Sequence, residues 1–175
     1  MVNRKKIGVL CSGNGSNFEN IVRTCTKHEV VLMIYNKKDC KARARAGALG
    51  IPSAYSNDEN WIINELKWAG VDIIVLAGWM KILSKHFVDS FPRKIINLHP
   101  SLLPKYKGLH AIEQALNNGD EKTGCTVHYV TEELDSGEII LQGEVPIKPD
   151  DTVESLTRAV HMKEWALLPA AVDML

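Results

Sequence analysis

The sequence lacks an excess of either charge, and this absence limits the partners that it can attract. Lysine and arginine together number 21 among the 175 residues, and aspartate and glutamate also number 21. Because binding to nucleic acid or anionic lipid depends on a positive field, neither kind of partner is indicated. An anionic ligand would have to be held by a local site.

Long apolar runs are also missing. No stretch of eighteen apolar residues occurs, which argues against a membrane-spanning helix. The basic start, residues 1–6 (MVNRKK), leads into an apolar run at residues 7–11 that is too short for a signal peptide. With 45% hydrophobic and 24% charged residues, the composition is that of a soluble globular protein, and we expect a cytoplasmic location.

Cysteine is sparse, with four residues in the chain and no C-x-x-C pair. This spacing argues against a zinc site and against a disulfide framework. We therefore expect Cys11, Cys25, Cys40 and Cys125 to be reduced and buried.

Strand and helix patterns alternate along the chain. Apolar runs predict strands over residues 6–12, 29–35, 71–77, 94–98, 123–131 and 137–147, with a short strand starting at 51–52. Helical spacing and capping residues predict helices over residues 17–26, 41–49, 57–70, 84–90, 110–118 and from 152 towards 174. The alternation predicts an α/β fold: a mainly parallel, Rossmann-like twisted sheet with helices on both faces and antiparallel late strands. Substrates of such sheets bind beyond the carboxyl ends of the strands.

A glycine-rich turn joins the first predicted strand to the first helix. Residues 12–17 (SGNGSN) would point free backbone N–H groups and the helix dipole at one spot, which suits a phosphate. The pattern matches neither G-x-G-x-x-G nor the Walker sequence, so a monophosphate is favoured over a dinucleotide or triphosphate. The alternative is a tight strand-to-helix turn closed by a serine cap.

Polar residues also end a later strand. Strand alternation places Asn97 and His99 on the same side, and the proline-punctuated loop 100–104 that follows could shield a reaction from water. Asp135 lies in a predicted turn at residues 133–137. His99 and Asp135 each have a simpler interpretation. A single histidine is often a structural residue, and an aspartate often forms a turn through hydrogen bonds to the backbone.

Three segments taken together resemble the glycinamide ribonucleotide formyltransferase family. They are residues 12–17, residues 97–108 (NLHPSLLPKYKG) and residues 127–137 (VHYVTEELDSG). The likeness runs in one order from residue 6 to about residue 169. Methionyl-tRNA formyltransferases and formyltetrahydrofolate hydrolases share the Asn, His and Asp of the second and third segments but lack the glycine-rich turn.

The resemblance implies an enzyme of purine (IMP) biosynthesis, made of one domain, 1–175. Residues 1–95 would bind phosphate, and residues 96–175 would bind folate and carry the catalysis. Its partners would be the small molecules glycinamide ribonucleotide and 10-formyltetrahydrofolate, the formyl donor, with no metal, and it would be a monomer or homodimer.

The resemblance also assigns residues to three sets. The catalytic residues would be Asn97, His99 and Asp135. The substrate-binding residues would be Gly13, Asn14, Gly15, Ser16, Asn17 and Glu164, the last at the ribose. The folate-binding residues would be Met80, Lys81, Ile82, Leu83, Asn97, Thr131, Glu132, Glu133, Leu134 and Asp135.

The chemistry of this reaction suits the catalytic residue types. Negative charge grows on the formyl oxygen as the amine attacks, and protonated His99 and the Asn97 amide could donate to it. Asp135 could keep the imidazole charged, or accept the proton of the amine directly or through water.

Several alternatives stay open at this point. Trp79 and Met80 could be ordinary core residues, and His128 could steady the site or merely finish a strand. Lys81 stands where many relatives have arginine, which puts a bidentate contact to the folate in doubt. The stretch 55–61 lacks the basic residue that often helps to hold phosphate. A formyltransferase or hydrolase with another acceptor, and a non-catalytic binding module, are the alternative functions.

Overall fold

The computed structural model describes residues 3–175. Met1 and Val2, which belong to the predicted basic start and to the predicted domain 1–175, lie outside the described residues.

Strands and helices alternate as the sequence pattern predicts. The strands are β1 (Lys6–Cys11), β2 (Glu29–Tyr35), β3 (Ser53–Tyr55), β4 (Ile73–Leu76), β5 (Ile95–His99), β6 (Lys122–Tyr129) and β7 (Ile139–Pro146). The helices are α1 (Ser16–Thr24), α2 (Ala42–Leu49), α3 (Glu59–Trp68), α4 (Lys85–Ser90), α5 (Ala111–Asn117) and α6 (Val153–Asp173).

The strands form one mixed sheet in the order β3-β2-β1-β4-β5-β6-β7. The strands from β3 to β5 pair in parallel, whereas β5–β6 and β6–β7 pair antiparallel. The predicted fold class is therefore confirmed, including the antiparallel late strands. Since β1, β4 and β5 run in parallel, their carboxyl ends lie at one edge of the sheet, where such folds bind ligands.

Apolar side chains cover both faces of the sheet. On one face, Val9 of β1 belongs to a buried cluster with Phe18 of α1 and Leu168 of α6. On the other face, Leu10 packs in a second cluster with Leu66 of α3 and other residues of α3 and α4. Burial on both faces explains why β1 reads as an unbroken apolar run rather than an alternating one.

Capping residues set several helix boundaries. The Asp58 carboxylate accepts from the backbone N–H groups of Asn60 and Trp61 at the start of α3. Thr152 begins α6 with a capping box that Ser155 completes. The sequence pattern predicted that helices begin at these positions, at 57–58 and at 152.

Three of the four cysteines are buried, Cys25 is partly buried, and all four are free thiols. The expected burial is therefore confirmed for Cys11, Cys40 and Cys125, whereas Cys25 is less buried than expected. No helix within residues 3–175 is long and apolar enough to cross a membrane.

The close approach of β6 and β7 provides a test of the fold. A Cβ atom on Gly124 would lie 2.0 Å from the Gly143 carbonyl oxygen, so Gly124→Ala must force the strands apart. We expect the substitution to lower the free energy of unfolding by about 1–3 kcal/mol, measured by urea denaturation. The exposed helical Gly47, where nothing lies within 4 Å of an added Cβ, is the matched control. Gly47→Ala should gain about 0.5–1 kcal/mol; equal stabilities of the two variants would contradict the account.

Candidate active site

The glycine-rich turn lies between the carboxyl end of β1 and the amino end of α1. Gly15 precedes the helix with φ 75°, in the left-handed region, and no side chain caps the helix there. The alternative of a serine cap is therefore wrong. The first intrahelical bond runs from the Glu19 N–H to the Gly15 carbonyl, 2.9 Å. The N–H groups before it have no partner within the helix, so they can bind an anion.

Two constraints require glycine at position 15. Its positive φ is unfavourable for residues with a side chain. A Cβ atom would also lie 2.7 Å from the Cα of Ala42 at the start of α2. The tight contact between the turn and α2 fixes where the N–H groups point.

Glu164 of α6 reaches the same turn from the far end of the sequence. Its carboxylate accepts from the Asn17 side-chain amide at 3.1 Å, and the residue is only 5% exposed. Burial raises the pKa of the Glu164 carboxyl above its ordinary value, and the Asn17 bond partly opposes this effect. The amide oxygen of Asn17 is buried without a partner. Glu164 and Asn17 thus form one polar group beside the turn.

Arg45 is a contact of the turn that sequence reasoning missed. Its guanidinium donates to the Asn14 carbonyl at 2.7 Å and to the Asn14 side-chain oxygen at 3.2 Å, and it pairs with Glu19. The Arg45 and Arg23 guanidinium groups hold the pKa of Glu19 below its usual value. The only sequence signal was the arginine-rich start of α2. A cation therefore stands beside the turn, although residues 55–61 supply none.

The second group of polar residues lies on β5 and β6. Asn97 and His99 share one face of β5, as predicted, and Asn97 pairs in register with His128 of β6. The Asn97 amide nitrogen lies 3.3 Å from His128 Nε2. The His128 Nδ1–H donates to the Tyr129 carbonyl at 2.9 Å. Burial lowers the pKa of His128 and keeps it neutral, so its Nε2 accepts from Asn97.

His99 is buried and fixed at one ring nitrogen. Its Nε2 lies 2.8 Å from the Tyr106 carbonyl oxygen. A carbonyl only accepts hydrogen bonds, so Nε2 carries the hydrogen. The other nitrogen, Nδ1, lies 3.4 Å from the Asp135 carboxylate. Only the Nδ1 edge of the ring is left to interact with a substrate.

Asp135 lies between the two imidazoles. One carboxylate oxygen accepts from the Gly108 N–H at 2.8 Å, and the other lies 3.7 Å from His128 Nε2. The side chain is 6% exposed, and the backbone adopts φ 48°. The alternative, hydrogen bonding within its own turn, is therefore wrong, because the carboxylate bonds to a distant loop. His128 likewise belongs to the site rather than merely ending β6.

A cleft of about 300 Å³ opens beside these residues. All ten residues predicted to bind folate line it: Met80, Lys81, Ile82, Leu83, Asn97, Thr131, Glu132, Glu133, Leu134 and Asp135. Its other lining residues, which the predicted set did not include, are Leu76, Trp79, Gly108, Leu109, His128 and Val130. Met80 is 63% exposed, so ordinary core packing is the wrong interpretation of this residue.

The cleft and the turn are joined directly. The Met80 N–H donates to the Ser12 hydroxyl at 2.9 Å, which ties the loop after β4 to the end of β1. The predicted phosphate turn, the catalytic residues and the folate residues therefore meet at one edge of the sheet. What these residues bind remains a prediction.

Comparison with known proteins places this geometry in a family. The model of the formyl transferase family matches residues 5–172. The chain belongs to the formyl transferase family.

Two relatives show which members of that family the chain is similar to. The chain is 42% identical over 180 residues to the phosphoribosylglycinamide formyltransferase of Escherichia coli, covering 95% of this chain and 85% of the relative. It is 42% identical over 187 residues to the trifunctional purine biosynthetic protein adenosine-3 of Drosophila melanogaster. That match covers 98% of this chain but only 14% of the much longer relative.

Solved structures of proteins with similar names also match the chain. The phosphoribosylglycinamide formyltransferase of Anaplasma phagocytophilum superposes with a TM-score of 0.95 at 39% identity, covering 98% of this chain and 86% of the other. Glycinamide ribonucleotide transformylase 1 of Symbiobacterium toebii gives a TM-score of 0.94 at 36% identity, covering 97% and 86%.

The buried Glu164 predicts a pH-dependent stability. Because its pKa is raised in the folded state, its stabilising contribution is present below the ordinary carboxyl value and is lost as pH rises through the folded value. Glu164→Gln removes the charge and keeps an acceptor for Asn17. We expect it to gain on the order of 1 kcal/mol at pH 8, or about 2–4 °C in Tm, and nothing at pH 4.

Thermal unfolding at both pH values measures this difference. Glu154→Gln is the matched control, because Glu154 lies on the same helix with its side chain 84% exposed. An equal Tm change at both pH values would contradict a raised pKa at Glu164.

Proposed function

We propose that the chain transfers the formyl group of 10-formyltetrahydrofolate to the amine of glycinamide ribonucleotide, giving formylglycinamide ribonucleotide and tetrahydrofolate in purine (IMP) biosynthesis. The observation that carries the proposal is the joining of the phosphate turn to the Asn97, His99 and Asp135 cluster at one sheet edge. The Ser12–Met80 bond ties the turn to the loop after β4, and Met80 lines the same cleft as Asn97 and Asp135. The names of its relatives support the same activity.

The turn supplies the acceptor's phosphate site. Glycinamide ribonucleotide carries one phosphate, and the N–H groups at the start of α1 bind one anion with the help of the helix dipole. The residues that contribute are Gly13, Asn14, Gly15, Ser16 and Asn17. Arg45 adds positive charge through its contacts with Asn14. Glu164, buried beside Asn17, supplies an acceptor for the ribose hydroxyls.

The cleft suits the folate. Its lining is mainly apolar, with Ile82, Leu83 and Leu134 among its residues, and it also includes polar side chains such as Asn97 and Asp135. A volume of about 300 Å³ is within the usual range of small-molecule sites. The exposed ammonium of Lys81 at the cleft faces the charged part of a folate as a single point charge, without the fork of an arginine.

The formyl oxygen gains negative charge as the amine attacks the formyl carbon, and two donors stabilise it. The Asn97 amide has two N–H groups; His128 accepts one, which fixes the amide and leaves the other for the oxygen. His99 donates from Nδ1 when it is protonated, because Tyr106 holds Nε2. A single donor of this kind contributes about 2.7–4 kcal/mol to lowering the barrier.

The amine loses a proton as the new C–N bond forms. Asp135 is the nearest base to the imidazoles, 3.4 Å from His99 Nδ1, and it accepts the proton directly or through water. The leaving nitrogen of the folate takes a proton back from Asp135, directly or through water, as its C–N bond breaks, so the proton lost by the amine equals the one gained. Residues 1–95 thus bind the phosphate and residues 96–175 carry the catalysis, while the loop at residues 79–83 adds one wall of the cleft.

The proposal includes no metal, and the partners are the two small molecules. We also propose a cytoplasmic location and a monomer or homodimer.

Removing a catalytic side chain tests the proposal. We expect Asn97→Ala, His99→Ala and Asp135→Ala each to lower kcat about 100- to 1,000-fold, because each removes a group that acts on the developing charge or proton. The absorbance change of the folate product measures the rate. Lys122→Ala, at an exposed ion pair with Glu144, should keep the parent rate. A parent without turnover, or three variants with the parent rate, would refute the assignment.

The phosphate separates this acceptor from others. With the dephosphorylated glycinamide riboside as acceptor, we expect KM to rise on the order of 100-fold, because two or more hydrogen bonds to a charged group are lost. Steady-state kinetics with both acceptors measures the ratio. An unchanged KM would contradict a phosphate site at the turn, and formyl release without any acceptor would indicate a hydrolase.

A further inference from the structure

A polar network surrounds the Tyr106 hydroxyl. The Tyr106 hydroxyl donates to Asp120 Oδ2 at 2.8 Å. The Asn118 amide donates to the Tyr106 oxygen at 2.9 Å and to Asp120 Oδ1 at 3.0 Å. Lys105 reaches the same carboxylate at 3.3 Å. The Asp120 side chain is only 11% exposed, so these groups form a specific cluster rather than a solvated surface pair.

The network is anchored to the end of α5. The Asp120 N–H donates to the Ala115 carbonyl of α5, and the Gly119 N–H donates to the Leu116 carbonyl, both at 3.2 Å. The turn that carries Asn118 and Asp120 is thus held to the end of the helix. Asp120 therefore has a fixed position from which to hold the Tyr106 hydroxyl.

Tyr106 connects this anchor to the imidazole. Its backbone lies at φ 55°, a left-handed conformation that is unfavourable for a residue with a side chain. In this conformation its carbonyl accepts from His99 Nε2 at 2.8 Å. The Tyr106 residue is thus held at both ends, with its hydroxyl bonded to Asp120 and its carbonyl to His99. The same bond lowers the pKa of Asp120 and raises that of the Tyr106 phenol.

We propose that Asp120 is a positioning residue for His99: by holding the Tyr106 hydroxyl, it keeps the Tyr106 carbonyl on Nε2 and turns Nδ1 toward Asp135 and the substrate. The proposal concerns the reaction proposed above and rests on it for its effect on rate. It predicts two changes when the network is cut. The rate of the chemical step falls, and the imidazole no longer keeps its hydrogen on Nε2 alone.

Tyr106→Phe is the sharpest test, because it removes the hydroxyl and keeps the ring. We expect kcat to fall at least 5-fold while the KM values of both substrates stay within 2-fold of the parent. Asp120→Ala should act in the same direction, and Asp120→Asn, which keeps an acceptor for the hydroxyl, should recover most of the rate. Glu121→Gln is the matched control, because it removes one negative charge from the next, exposed position.

Nitrogen NMR of ¹⁵N-histidine-labelled protein supplies a readout that needs no turnover. The His99 signals are assigned with a His99→Asn variant and measured at a pH at which the ring is neutral. The parent should show a protonated Nε2 and an unprotonated Nδ1, and Tyr106→Phe should show a mixture of the two tautomers. If the parent transfers no formyl group, the proposed function fails, and the NMR comparison still tests the positioning by itself.

Three results would overturn the proposal. Tyr106→Phe could keep the kcat and the His99 tautomer of the parent, or it could raise KM and leave kcat unchanged. Glu121→Gln could lose as much rate as Tyr106→Phe. If Tyr106→Phe does not fold, as judged by thermal unfolding, Asp120→Ala and Asp120→Asn decide by the same criteria.

Discussion

The arrangement of the site depends on the Asp135 carboxylate, which holds together parts of the chain that are distant in sequence. It accepts from the Gly108 N–H and lies within 4 Å of a ring nitrogen of both His99 and His128. A buried carboxylate needs donors, since an isolated buried charge is very unfavourable. Here they are the Gly108 N–H and, when its ring is protonated, His99 Nδ1, because Nε2 of the neutral His128 carries no hydrogen. The loop after β5 and the loop after β6 are therefore held against each other, and the cleft forms between that pair and the loop after β4.

Electrostatic roles follow from this packing. His128 is neutral because it is buried, and it orients the Asn97 amide. His99 differs because Tyr106 fixes its Nε2 hydrogen and its Nδ1 faces the carboxylate. Two histidines of one sheet face are thus given different tasks by their hydrogen-bond partners, which is how proteins separate acid, base and orienting functions.

Much of the fold could be predicted from the sequence, because β1, β2 and β4 are buried on both faces and read as plain apolar runs. The starts of α3 and α6 could be predicted because a side chain, Asp58 or Thr152, caps each helix. The predicted ends of β4 and β6 differ from the observed ends by one or two residues, because the end of a strand depends on which neighbouring strand pairs with it. The alternative of a side-chain cap at the glycine-rich turn was wrong, since Gly15 precedes α1 in the left-handed conformation and no side chain caps the helix.

The site was only partly predictable. Asn97 and His99 could be placed on one face by strand alternation, but nothing local in the sequence brings Asp135 to His99. That contact depends on the antiparallel β5–β6 pairing, and it was reached through the family resemblance. Arg45 was missed because its contact with Asn14 joins two separate parts of the fold, and the Tyr106 carbonyl was missed although it lies only seven residues from His99. A backbone carbonyl leaves no signal in residue type.

The most direct measurement is a crystal structure with glycinamide ribonucleotide and a folate analogue that has no transferable formyl group. The account predicts the phosphate on the N–H groups at the start of α1, with the amine between Asp135 and the end of the folate in the cleft. Asn97 and His99 Nδ1 should face the position of the formyl oxygen. A phosphate bound away from the turn, or a folate outside the cleft lined by Ile82 and Leu134, would contradict it.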